Sequence, residues 1–502
     1  MFKQGRSPLG YLALVLGVGA AGFVLFIIGA LTALAPELVV RLTPIFVVGV
    51  VLLSAGFVRT TTVSSRLVRF WLAAIVVTAT LWPSYMAVRL GGLPSIDLRK
   101  IVFGVSLLLF LYLIAARPVI GRVWGELSAG AKTLTWFVAI FGLLRIVSAF
   151  ESPAPIASFL AIAWEWVYFY APFFAVIFVI RENGAREQFV RLIFWLAIIV
   201  ATLVVFERIS GVNPFTKYGP VSADSTDFQA ALKLSRLRDG NFRAQGPFEH
   251  PLMLAEFAAI VSAFSLSELL TGRSSSIRAL ALAAFVASGV SAVLSGSRVA
   301  LVAVAIVLGT VVLLTIVRAK GERKMGTAVT TRGFILLALA ILLLLAMPVL
   351  QTLLEGRTAS EASSSSARLL MLRTGIPAML DAPIFGNGYG QVVAIAGVQG
   401  TGGILTVDNY LLSIGVDSGI PALLLFIGIF IIPAWMAFKK VTAEAGPEQT
   451  FLIAGMAALL GLLAVRMILS ISYNLIFAFV IAAMVAAAAS GIQATHGKPP
   501  KR

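Results

Sequence analysis

Apolar residues dominate this chain in long uninterrupted runs rather than in the alternating segments of a sheet or the narrow stripes of soluble helices. Runs near 11–34, 40–58, 69–89, 101–118, 133–149, 157–180, 190–207, 251–271, 278–294, 298–317, 333–350, 409–437, 450–468 and 472–489 are each long enough to cross a ~30 Å hydrocarbon core as a helix. Such runs predict helices, because barrel strands are short and alternate. The fold class expected is therefore an all-α polytopic membrane protein of about fourteen transmembrane helices. The first run is longer than a signal-peptide core and no small-residue cleavage site follows it, so it reads as a retained anchor.

Two polar stretches interrupt the pattern, Arg208–Glu249 and Gln351–Val407. An odd number of spans separates each from the N-terminus, so both lie outside if the N-terminus lies inside. The expected organisation is a first block of seven helices at 1–207, a first large outer loop at 208–250, and helices eight to eleven at 251–350. A second large outer loop carrying a short helix follows at 351–408, then helices twelve to fourteen at 409–489 and an inner tail at 490–502.

Charge supports this orientation. Lys3, Arg6, Arg117, Arg122, the basic 318–332 loop, Lys439, Lys440 and the 498–502 tail all fall on the inner side, whereas the short outer loops 35–39, 151–156 and 469–471 carry no Lys or Arg. Both termini are expected in the cytoplasm by the positive-inside rule. The net charge of +17 is thus a topology signal. It is scattered over short loops instead of forming one basic face, so nucleic acid is not an expected partner. The chain has no cysteine and two histidines, which excludes disulfides and thiolate chemistry and leaves no metal or cofactor site to propose.

The candidate chemistry sits in the outer loops. Asn241-Phe-Arg-Ala-Gln-Gly-Pro-Phe-Glu-His-Pro251 leads into span eight, with Pro251 suited to a first helical position. Arg243 and the helix-terminal N–H groups can face a phosphate; the plainer reading is loop capping with a surface ion pair. Ser295-Gly-Ser-Arg298 is a tight turn before span ten, where Arg298 serves either as a second phosphate clamp or as a residue snorkelling to headgroups. In the second loop, Ser363–Ser366 can cap a short helix from about Ala367 to Leu372 or beyond, with Pro377 as its limit or kink. Arg368 and Arg373 flank that helix. They are about 140° apart around the axis, so both cannot point straight at one ligand. Gly386-Asn-Gly-Tyr-Gly390 is a flexible run without the context of a dinucleotide site. Asp408-Asn-Tyr-Leu411 then opens span twelve, and Asp408 is either its N-cap or a general base. Arg145, Glu165, Glu207, Arg208, Asp417 and Arg466 lie in or near spans, and the sequence does not assign their partners.

The order of these motifs resembles the O-antigen ligase and polysaccharide polymerase superfamily of bacterial inner-membrane glycosyltransferases. The resemblance rests on Arg-x-x-Gly-x-Phe-x-His-Pro at 243–251, Ser-x-Ser-Arg at 295–298, Arg368, Pro-x-x-Gly-x-Gly-x-Gly at 383–390, and Asp-Asn-x-Leu at 408–411 with Gly419 beyond. It covers roughly residues 200–440. It implies two periplasmic loops over a cavity, a multi-pass inner-membrane location and no cofactor or metal. The substrate implied is an undecaprenyl-diphosphate-linked oligosaccharide, and the activity is metal-independent glycosyl transfer in exopolysaccharide, capsule or O-antigen biosynthesis. Carried over, Arg243, Arg298 and Arg368, with Arg373 as a weaker candidate, would bind the diphosphate. Asp408, Glu249 and His250 remain alternatives for the base. Asp408 stands where the ligase branch often has histidine, which favours polymerisation of repeat units over ligation to another acceptor. A lipid-linked oligosaccharide flippase is the rival from another class, disfavoured because the Gly and Pro interruptions are not symmetric between halves. Beyond the lipid bilayer, a polysaccharide chain-length regulator is a candidate partner.

Overall fold

The computed structural model describes residues 65–83, 85–88, 96–115, 117–180, 183–218, 237–238, 241–271, 275–319, 359–399, 405–443, 448–469, 472 and 474–491. The expected spans at 11–34, 40–58 and 333–350, most of the 318–332 loop and the central part of the first outer loop lie outside the described residues.

The described part is almost entirely helical. In chain order come α1 (Ser65–Leu81), the short strands β1 (Ala87–Val88) and β2 (Ile96–Asp97), α2 (Leu98–Ala115), α3 (Arg117–Glu126), α4 (Ala129–Ser148), α5 (Pro155–Glu165), α6 (Ala171–Val179), α7 (Asn183–Ser210) and α8 (Pro214–Tyr218). Then follow β3 (Leu237–Arg238), β4 (Asn241–Phe242), α9 (Pro251–Thr271), α10 (Ser275–Leu294), α11 (Arg298–Ala319) and α12 (Ala359–Asp381). The chain closes with α13 (Val392–Ala396), β5 (Val398–Gln399), β6 (Leu405–Thr406), α14 (Tyr410–Ala443), α15 (Gln449–Arg466) and α16 (Leu475–Ala489). The strands pair only as two-residue antiparallel ribbons, β1 with β2, β3 with β4 and β5 with β6. Seven segments among the described residues are long and apolar enough to cross a membrane, and the shorter Leu301–Ile316 and Leu475–Ala489 are also apolar. In hydrocarbon a helix satisfies its own backbone polar groups, which is why these runs fold this way.

Proline and serine set several of the boundaries. Pro155 and Pro251 open α5 and α9, where a missing N–H costs nothing. Ser128 caps α4 by accepting from the N–H of Ala131 at 3.3 Å. α16 is apolar on all sides, and its residues are buried from Leu475 to Ala488, the expected fate of a helix without a polar face. Small residues permit close helix contacts: a Cβ on Gly461 would come within 2.6 Å of the Val307 side chain, so α15 and α11 approach through glycine.

The expected span at 157–180 is one continuous helical segment, Pro155–Val179, in which a π-helical turn, Trp166–Tyr170, joins α5 to α6, a form that favours functional positions. Two other expected elements differ in the structure. The span at 409–437 is two helices meeting at Gly419, whose φ of 85° and ψ of 173° break the helical path. The short loop helix from Ala367 to Leu372 is the much longer α12, which starts at Ala359 and runs through Pro377. Pro377 removes one helical bond, to the carbonyl of Arg373. Both residues are exposed, so solvent or headgroups can take up that carbonyl.

The connections carrying the sequence motifs gather at one end of the bundle. Ala244 N–H bonds the Leu294 carbonyl at 3.1 Å and Tyr389 N–H bonds that of Ser148 at 3.2 Å, while Asn474 Nδ2 donates to the Met253 carbonyl at 2.9 Å. The opposite end is joined by Arg186 with Glu448, Thr271 with Thr450 and Ser128 with Ser490.

Candidate functional site

The strap from Arg243 to His250 is built onto the end of α7. Glu207 is fully buried, and its Oε2 accepts from the N–H groups of Gln245 at 3.1 Å and Gly246 at 2.6 Å. Arg208 Nη1 donates to the Phe242 carbonyl at 3.1 Å, and Asn213 Nδ2 to the Gly246 carbonyl at 2.7 Å. Gly246 has a φ of 58° and lies against Val204, a left-handed turn that glycine adopts without strain. Two charges that the sequence left without partners thus hold the loop backbone.

That strap delivers Arg243 onto the turn between α10 and α11. Arg243 is 9% exposed, and its Nε donates to the Ser295 carbonyl at 3.0 Å. Gly296 also has a φ of 58°, and a Cβ there would stand 3.0 Å from Arg243 Cγ. The arginine therefore lies across a glycine that leaves room for its stem. Arg298 opens α11 two residues later; its side chain lies outside the described part of the structure. The structure joins two motifs that are about fifty residues apart in sequence.

Glu249 and His250 end the strap. Glu249 Oε1 is 3.5 Å from Arg99 Nη1, both side chains being 6% exposed. Arg99 also donates from Nη2 to the Ala79 carbonyl at 3.2 Å. The sequence reading passed over Arg99, although an arginine opening an outer-side span end is a visible signal against the charge rule. His250 Nδ1 accepts the Leu252 N–H at 3.0 Å, which caps α9 and assigns the proton of the neutral ring to Nε2. Burial, reinforced by the nearby Arg243 charge, lowers the His250 pKa to about 4.

A second group forms where α12 meets the start of α14. Gly375 packs on Leu412, and Met371 joins a small apolar cluster with Val392, Ala396, Val407, Leu412 and Val416. Asp408 donates its backbone N–H to Met371 Sδ at 3.4 Å, one helical turn from Arg368. Burial raises the Asp408 pKa above the ordinary carboxylate value, and the Arg368 charge opposes that shift. Arg368 Nε is buried without a hydrogen-bond partner. Arg373 is exposed. The residue that caps α14 is Asn409, whose Oδ1 accepts the Leu412 N–H at 2.9 Å; the Asp408 side chain is not needed for that task.

Between these groups runs a buried polar network. Arg145 on α4 donates to both carboxylate oxygens of Glu165, from Nη2 at 2.9 Å and Nε at 3.3 Å, and from Nη1 to Ser418 Oγ at 2.9 Å. Tyr170 and Tyr389 each donate a hydroxyl to Glu165 at 3.1 Å, and the Arg145 guanidinium lies 4.2 Å from the Tyr389 ring centre. Asp417 Oδ1 accepts the Val392 N–H at 2.8 Å. The glycine run is pinned here: Gly386, at φ 75°, packs on the backbone of Asp417 and Ser418, and Gly388, at φ 102°, packs on that of Ser152. Tyr389, quoted in the sequence only as part of this run, is its one side-chain link to Glu165. Deeper still, Arg466 pairs with Glu256, both fully buried, and its guanidinium sits 5.9 Å from the Tyr410 ring centre. The Asp408 segment is thereby tied to α9, the helix that His250 opens.

Among the described residues no group of three or more His, Asp or Glu side chains is gathered closely enough to hold a metal ion. Residues 283–427 match the family model described as O-antigen ligase. That stretch includes Arg298, Arg368, Arg373 and Asp408, and it begins after Arg243, Glu249 and His250. A comparison with curated proteins finds no match.

Proposed function

We propose that this chain is a multi-pass membrane member of the O-antigen ligase and polysaccharide polymerase superfamily that polymerises lipid-linked oligosaccharide repeats, a reading supported by the match of residues 283–427 to the O-antigen ligase model and by the membrane-length apolar helices. The growing glycan leaves an undecaprenyl diphosphate and passes to a hydroxyl of the next lipid-linked repeat on the periplasmic face of the inner membrane. The acceptor oxygen bonds to the donor's anomeric carbon as the bond from that carbon to the diphosphate oxygen breaks. The acceptor proton moves to a carboxylate and then to solvent or the departing diphosphate.

The observation that carries this reading is the seating of Arg243 on the Ser295 turn, next to the start of α11, with Met371, one turn from Arg368, bonded to the Asp408 backbone N–H in the matched stretch. A diphosphate leaving group needs preorganised positive charge, which Arg243, Arg298 and Arg368 would supply; Arg373, exposed on another side of α12, is not part of this set. Asp408 is the base we favour. His250 has Nδ1 engaged with a backbone N–H, and Glu249 faces Arg99, whereas burial makes Asp408 a stronger base than an ordinary carboxylate. A ligase that moves finished glycan to another acceptor would use the same machinery, and the family description favours keeping it as the second reading.

Deletion of the gene, followed by gel separation of surface glycans, tests the proposal. Wild type should restore long chains, whereas Arg243→Ala, Arg368→Ala and Asp408→Ala should leave single repeats at normal protein levels. Long lipid-linked chains that never reach their acceptor would identify a ligase. Repeats accumulating on the cytoplasmic face would identify a transporter.

A further inference from the structure

The helix α12 has one face keyed into the bundle and one face that nothing in the described structure covers. Gly375 rests on Leu412, Gly415 lies against Met379, and Met371 is 3% exposed. At about 100° per residue, Leu369, Leu372, Ile376 and Leu380 form a single stripe away from that contact. These four are 36–59% exposed, and Ile384 at 59% and Phe385 at 44% prolong the stripe past the helix end. Large apolar side chains aligned on one exposed face mark an interaction surface.

We propose that this stripe is seated in the outer polar–apolar boundary of the lipid bilayer. Continuity with the spanning helices identifies the occupant. The Ile420 N–H bonds the Pro383 carbonyl at 2.8 Å, so the stripe's end meets the spanning part of α14 at its first turn. Leu424, one turn on, is 62% exposed, as a lipid-facing residue is. Phe150 and Ile156, each 69% exposed, flank Ser152, on whose backbone Gly388 packs. The apolar stripe thus runs into the belt that α4, α5 and α14 present to acyl chains. Arg373, exposed at the stripe's edge, can extend its guanidinium to a headgroup phosphate while its stem stays apolar. An amphipathic helix held this way lies in the interface and does not span it. Seating α12 in the bilayer fixes the height of Arg368, on its inward face, relative to the membrane surface.

The chain has no native cysteine, so single substitutions give unique probe sites. Leu369→Cys, Leu372→Cys, Ile376→Cys and Leu380→Cys, with Thr374→Cys and Asp381→Cys as off-stripe exposed sites, would be nitroxide-labelled in the full-length protein. The protein would be reconstituted in phosphatidylethanolamine–phosphatidylglycerol nanodiscs. Collision rates with oxygen, which partitions into lipid, and with a water-soluble nickel chelate would then be measured. The stripe sites should show an oxygen-to-nickel ratio several-fold above Thr374 and Asp381, repeating with the helical period. High nickel collision at every site would overturn the proposal, because the stripe would then face water. Low collision with both reagents at the stripe would overturn it too, because protein would then cover the face.

Discussion

Arg243 Nε donates to the Ser295 carbonyl at 3.0 Å, and this bond orients a buried guanidinium over a turn whose central glycine has a φ of 58°. Lysine carries its three donors on one nitrogen, so it cannot hold the Ser295 carbonyl from one atom while aiming a second, fixed nitrogen at an anion, as the guanidinium fork can. Arg243→Lys should therefore lower glycan polymerisation about 10²–10³-fold, the scale of losing one preorganised donor to a developing anion. The check is a turnover assay with purified protein and lipid-linked repeats. Gly296→Ala adds a Cβ 3.0 Å from Arg243 Cγ in a left-handed backbone, which should cost about 1–2 kcal/mol in a thermal melt.

The Asp408 carboxyl titrates above the ordinary carboxylate value because burial outweighs the opposing Arg368 charge. A base works only when ionised, so activity should fall as pH drops through that raised value, on the less acidic side of a free aspartate. Removing the opposing charge with Arg368→Gln should move this acidic limb to higher pH. Asp408→Asn should reduce the rate about 10²–10⁴-fold. A pH–rate profile in which Arg368→Gln left the limb in place would remove Asp408 as the titrating base.

His250 behaves in the opposite sense. Its ring titrates near 4 in the folded chain and near 6.5 when free. Between those values the unfolded chain binds a proton that the folded chain refuses, so stability is complete above about pH 6.5 and is lost as pH falls toward 4. His250→Asn keeps an acceptor for the Leu252 N–H and does not titrate. Its melting temperature should be flatter with pH over that window, which a detergent-phase thermal series would measure.

Glu165 neutralises Arg145 and receives two tyrosine hydroxyls. Glu165→Leu alone should destabilise the protein by about 3–5 kcal/mol, because a buried guanidinium loses its partner. The double variant Glu165→Leu with Arg145→Met should recover much of that loss. A double-mutant cycle by thermal melting with no recovery would show that the tyrosines, not the ion pair, carry the energy.

Gly419 has a φ of 85°, and a Cβ there would overlap the carbonyl of Ile384. Gly419→Ala should cost at least about 2 kcal/mol, because both backbone strain and the packed loop resist it. Gly211, which has a φ of 68° and open space around it, is the control. Gly211→Ala should show only the backbone part of the penalty in the same melt.

Much of the architecture was legible because hydrocarbon demands it. Runs such as 251–271 and 278–294 admit only helices, and the structure has them within a few residues of those bounds. Pro251 opens a helix as its position in the motif suggested, because a missing N–H is harmless there. Where the reading missed, a tertiary contact overrode a local rule. The loop helix starts at Ala359, earlier than read, and of the two readings of Pro377, limit or kink, the limit fails, since Met371 and Gly375 before it and Met379 after it are all docked on α14. The span at 409–437 breaks at Gly419, since the Ile384 carbonyl occupies the space a side chain would need.

The candidate site divides the same way. Residue type and spacing along the chain singled out Arg243, Arg298 and Arg368 as candidate anion contacts and Asp408 as a helix cap or a base, and the diphosphate is what the family resemblance implies. They did not give the partners. That Arg243 crosses the Ser295 turn, that Glu249 faces Arg99, that Asn409 and not Asp408 caps its helix, and that Arg145 meets Glu165 and Tyr389 were decided by helix packing alone. The physical reason is range. Hydrophobic run length and capping act over a few neighbouring residues and are written locally, whereas a buried charge can be satisfied by any partner that packing brings near, from any distance along the chain.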